Sequence, residues 1–229
     1  MQKLFYLLLV CVMLWLPSAQ AESISFVGER VSRSDTPYAF TVFWPEGEGE
    51  PAHRQTFQEL FFSRFPAMRE MYGTTDALEV KVFFYHAPDS IAYTDGQSIF
   101  VSIEYIDAHP EDYNLLTHEL FHVVQNGYVG DDPFIPVLTE GLADYARARF
   151  CYREDSSWAL SVWQEGQSYM DSYTVTGGFL NWIALHYGET TLIRLNRVLH
   201  EGLYSADVWW NYTGKTLDEL WAAYALEGK

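Results

Sequence analysis

"LLTHELFHVVQ", residues 115–125, carries two histidines four positions apart, with a glutamate directly after the first. The stretch reads as part of a helix over about 113–127. Positions i and i+4 of a helix share a face, so His118 and His122 project side by side. Glu119 is turned about 100° from His118. The plain alternative is a helix that shows two polar histidines to solvent.

Working outward, "NGYVGDDPFIP" (126–136) is rich in turn formers and lets the chain reverse. "VLTEGLADYARAR" (137–149) then starts a second helix, expected over about 139–151. Further helices are expected near 175–187, 190–201 and 216–225. Upstream, "YAFTVFW" (38–44) and "LEVKVFFYH" (78–86) read as strands. Between them, residues 54–73 have the apolar spacing of a helix, which Pro66 is expected to kink or divide. "AYTDGQSIFVSIEYI" (92–106) reads as a turn at Asp95-Gly96 feeding a strand. Strands first and helices after predict an α+β architecture, with a sheet of about four strands. The Trp209-Trp210 pair is expected to pack the C-terminal helices.

The chain opens with one lysine, an apolar run to Leu16, Pro17 and small residues ending at Ala21. That layout predicts a signal peptide over 1–21, a single mature domain over 22–229, and export to the periplasm or medium. The run is short for a membrane span. Cys151 is then the single cysteine left, so no intrachain disulfide forms. With 14 basic against 31 acidic residues, the surface repels nucleic acid and anionic lipid.

The chemistry follows from the histidine pair. Two imidazoles at helical spacing suit one Zn2+ ion, which accepts ring nitrogens at about 2.0–2.1 Å. Zinc acidifies a water ligand toward neutral pH, and Glu119 is placed to take the proton as general base. A catalytic site needs a third protein ligand and one open position. Glu140 suits that role, and Asp144, one turn later, can accept the spare N–H of a ligating histidine. Read alone, Glu140 is also an ordinary acid near a helix start and Asp144 a solvated helix residue. Gln125 either hydrogen-bonds near the site or faces solvent. His186 and His200 read as structural, and His53, His86 and His109 have no carboxylate pattern nearby and are assigned no role.

"HELFHVVQ" followed by "EGLADY" resembles the gluzincin branch of zinc metallopeptidases. "IAYTDGQSIFVSIEYI", "YTVTGGFLNWIALHYG" and above all the terminal "TGKTLDELWAAY" resemble the basic secretory protein family of plant and bacterial peptidases. The likeness covers about residues 30–226; peptidase-MA-like domains share the same core. This chain is acidic, so the family's name does not describe its charge. The resemblance implies a zincin-like fold, peptide substrates and a zinc site of His118, His122 and Glu140, with Asp144 behind them. It also implies that Tyr173 stabilises an oxyanion. It further implies that an edge strand around Gln97, Ser98, Ile99 and Phe100 binds the substrate backbone by β-addition. A secreted binding or structural protein with a non-catalytic zinc site is the alternative.

Overall fold

The computed structural model describes residues 10–11, 24–49, 51–153 and 158–228. The expected leader lies outside them apart from the two-residue strand β1 (Val10–Cys11). The other strands are β2 (Ser25–Ser32), β3 (Ala39–Pro45), β4 (Glu79–Tyr85), β5 (Ala92–Asp95) and β6 (Ser98–Ser102). They form one sheet in the order β1-β2-β3-β4-β6-β5. β3, β4 and β6 run parallel, while β2 and β5 pair antiparallel on either side of them. Strand β2 was not anticipated. Setting β1 aside, the sheet has five strands rather than four. The helices are α1 (Arg54–Tyr72), α2 (Ile103–Ala108), α3 (Leu115–Gln125), α4 (Phe134–Arg149), α5 (Tyr173–Tyr187), α6 (Thr190–His200), α7 (Asp207–Thr213) and α8 (Leu217–Glu227).

The layers follow from strand alternation. Phe40, Val42, Val80, Val82, Phe84, Ile99 and Val101 point to one face and join the main core with α1, α3 and α4. The opposite face carries Phe43, Phe83, Phe100 and Tyr93 in one cross-strand row, with successive rings stacked at centroid distances of 4.5, 5.1 and 4.8 Å. Both faces of β4 are therefore apolar, which is why its sequence is nearly continuous in hydrophobic residues.

Four expectations are corrected. Pro66 does not divide α1, which runs through it as one element of 19 residues. A proline inside a helix costs about 3 kcal/mol. The helix buries Phe57, Leu60, Phe61, Phe65, Met68 and Tyr72, each contributing about 1.5–3 kcal/mol, and packing prevails. α4 begins at Phe134, not near 139; Pro136 falls in its first turn, where no backbone donor is needed. Residues 103–106 leave the sheet as α2, because the Ser102 hydroxyl accepts the Tyr105 N–H and starts a helix there. The tryptophan pair also splits, with Trp209 buried in the core and Trp210 exposed.

α5 packs closely through small residues, against α4 on one side and the segment around Ser161 on another. A Cβ on Gly141 would lie 2.5 Å from Thr176, and one on Gly178 would lie 2.2 Å from the Ser161 carbonyl oxygen. A backbone carbonyl cannot swing aside, and overpacking costs about 1–3 kcal/mol. Alanine's better helix propensity returns no more than about 1 kcal/mol. Gly178→Ala is therefore expected to lower stability, by up to about 2 kcal/mol on those terms. Urea titration checks this; an unchanged or raised midpoint would contradict the close approach.

Candidate metal centre and cleft

α3 lies between the sheet and α4, so its residues divide by face. Leu116, Leu120, Phe121 and Val124 enter the core, while His118 and His122 turn toward α4. The Asp112 carboxylate caps the helix by accepting the Leu115 N–H at 3.1 Å. Asn126 at φ 55° and Gly127 at φ 79° end it directly after Gln125. α4 returns alongside and presents Glu140 and Asp144, four apart on one face.

The Nε2 atoms of His118 and His122 lie 3.1 Å apart. Glu140 Oε2 lies 3.3 Å from the first and 3.6 Å from the second. These three donors are the described group suited to holding a metal ion. A tetrahedron with ligands at about 2.0–2.1 Å has edges of about 3.3 Å, so the donor triangle fits zinc. The other ring nitrogens are already engaged: His118 Nδ1 with Asp144 Oδ1 at 2.8 Å, and His122 Nδ1 with Gln125 Oε1 at 2.6 Å. Both imidazoles thus direct Nε2 into the triangle.

Electrostatics agree with that fit. Burial alone pushes the His118 pKa down, but its hydrogen bonds to Asp144 and Glu140 reverse this and raise it to about 10. Burial pushes the Glu140 carboxyl up, and the two histidines overcome it and hold it well below the usual carboxylate range. The surroundings favour positive charge between the imidazoles and Glu140, which is what a divalent cation brings.

Glu119 is buried beside the histidines. The Thr94 hydroxyl of β5 donates to its Oε2 at 2.7 Å, with Glu119 O also 3.1 Å away. This tie to the sheet was missed. Ala92 and Thr94 share the inner face of a strand too short to read securely from its alternation.

The site opens into a cleft of about 790 Å3, lined by Ile91–Gly96 on one side and by α3, α4 and Ser172–Thr174 on the others. Tyr173 is the first residue of α5 and stands half exposed on the cleft wall. The strand expectation needs correcting. β6 is interior, held by β4 on one side and β5 on the other, so its backbone edges are taken. Gln97 lies in the turn before it, Ile99 is in the core and Phe100 is in the outer aromatic row. None of Gln97, Ser98, Ile99 and Phe100 lines the cleft. Among the described residues the edge strand on this side is β5, because the Asp95-Gly96 turn folds the chain back and leaves Ala92–Asp95 outermost.

Away from the triangle, Arg147 is buried on α4, donates to Asp112 Oδ1 at 2.7 Å and lies 4.0 Å from the Trp158 ring centroid. Both Arg147 and Trp158 line the cleft and were not anticipated. His86 binds Glu48 and Glu104, His186 binds Glu227, and His200 faces Asn126 O, all apart from the candidate metal ligands.

Two solved structures are similar to this fold. One is a two-domain M1 zinc metallopeptidase bound to L-tryptophan, with a TM-score of 0.53 and 12% identity over 86% of this chain. The other is the M1 zinc metallopeptidase of Deinococcus radiodurans, with a TM-score of 0.50 and 13% identity over 86% of this chain. The matched region covers 51% and 52% of those proteins, and at such identities the likeness is one of fold. The chain belongs to the family described as peptidase of plants and bacteria, whose model matches residues 50–224. No curated protein matches it.

Proposed function

We propose that this chain is an exported, zinc-dependent peptidase. The observation that carries the reading is the triangle of His118 Nε2, His122 Nε2 and Glu140 Oε2, with separations of 3.1, 3.3 and 3.6 Å. Zinc held there would polarise a peptide carbonyl and acidify water at neutral pH. Glu119 takes a proton from the attacking water and returns it to the leaving amine. Thr94 holds the Glu119 carboxylate in place through its hydroxyl. Asp144 keeps His118 in the tautomer that leaves Nε2 unprotonated. Peptide backbone adds as a further strand along β5, which pairs only with β6 among the described residues. Tyr173, on the cleft wall, donates its hydroxyl to the developing oxyanion.

Export rests on the leader pattern of residues 1–21. No helix among the described residues is long and apolar enough to cross a membrane. The chain beyond the leader, residues 22–229, is read as one domain that carries the cleft.

The purified protein is expected to hold one equivalent of zinc and to cleave casein. A strong chelator should abolish cleavage, and stoichiometric zinc should restore it. Bound zinc with no cleavage across a broad peptide library would instead favour a binding or structural protein.

A further inference from the structure

We propose that Gln125 is a positioning residue. It sets the tautomer of His122 and ties that histidine to the helix that carries Glu140. The inference rests on the metal-site reading above.

Gln125 is the last residue of α3, three after His122, and is 3% exposed. Its amide spans two helices. Oε1 lies 2.6 Å from His122 Nδ1, and Nε2 donates to the Thr139 carbonyl oxygen at 2.9 Å. Thr139 directly precedes Glu140 on α4.

The direction of these bonds follows from what each group can do. A carbonyl oxygen can only accept, so it must face the NH2 end of the amide. That orientation points the amide oxygen at His122, so His122 must carry its proton on Nδ1. The Nε2 lone pair is then left facing His118 and Glu140. A reversed amide would set oxygen against the Thr139 carbonyl oxygen. The backbone of one ligand-bearing helix thereby dictates the protonation pattern of a ligand on the other.

The two histidines are held differently. His118 has the Asp144 carboxylate, which comes from α4 itself. His122 has a neutral amide from its own helix, which reaches across to α4. Gln125 thus fixes both the ring of His122 and its distance from Glu140. Leucine would fill much of the space while removing both bonds, and asparagine is one methylene too short to span them.

The test measures zinc affinity by competition with a chromophoric chelator for wild type, Gln125→Leu and Gln125→Asn. Thermal unfolding of the chelator-stripped proteins is measured alongside. Each variant is expected to bind zinc about 10–100-fold more weakly than wild type, the usual loss when an outer partner of a metal ligand is removed. Affinities within about threefold of wild type, with or without a lower unfolding midpoint, would make Gln125 a packing residue and overturn the inference. If neither variant folds, 15N–1H spectra of zinc-loaded wild type decide the matter. Slow solvent exchange of the His122 Nδ1–H and of the Gln125 side-chain amide protons is expected, and rapid exchange of both would refute it. Failure of wild type itself to bind zinc would instead remove the metal-site reading, so the two failures are distinguishable.

Discussion

Glu119→Gln is expected to leave the protein folded and zinc-loaded while lowering peptide hydrolysis by about 10²–10⁴-fold, the usual contribution of a general base. The amide keeps the size of the carboxylate and can still accept the Thr94 hydroxyl, which lies 2.7 Å from Glu119 Oε2. What it cannot do is take a proton from water and return it to an amine. Glu119 is not one of the three candidate metal ligands, so metal content should not change. Rates on casein or a peptide mixture, read beside the zinc content of the same preparation, separate the two effects. Cleavage at wild-type rate would remove Glu119 from the chemistry. Lost activity with lost zinc would make it a ligand instead.

Glu140→Ala should produce the opposite pattern, in which the metal goes first. Glu140 Oε2 is the third corner of the donor triangle and the only one supplied by α4. Its carboxyl is held ionised by His118 and His122 in spite of its burial, so in the native protein it is a ready ligand. Removing it leaves two imidazoles on one helix. Zinc affinity should then fall by more than the about 10–100-fold that follows loss of an outer partner. The fold should survive, because this side chain faces the cleft and not the core. Zinc content after dialysis against a weak chelator, with circular dichroism as the folding control, checks this. Tight, stoichiometric zinc in Glu140→Ala would mean that the third ligand lies elsewhere.

Much of this site was legible because its rules are local. A helix repeats every 3.6 residues, so the spacing of His118 and His122 puts them on one face wherever the helix sits. The same rule pairs Glu140 with Asp144. The intervening turn formers made a return of the chain plausible, although α4 starts five residues earlier than its pattern suggested. The reading of 92–106 failed for the complementary reason. A four-residue strand such as β5 carries too little alternation to declare itself, and nothing in Gln97–Phe100 says which strand will stand outermost. Thr94 lies 25 positions from Glu119, and no periodicity links two residues that meet only because sheet and helix pack together.

The sequence by itself determined the donors: which side chains are able to bind a metal, which carboxylate is able to move a proton, and which of them share a helix face. Those depend on residue type and on the pitch of one element. The tertiary structure alone decided that Glu140 closes a triangle with the histidines, that β5 and not β6 is outermost among the described residues, and that Thr94 meets Glu119 and Gln125 meets His122. Such pairings are set by how apolar faces bury against one another across long stretches of chain, which no local pattern encodes.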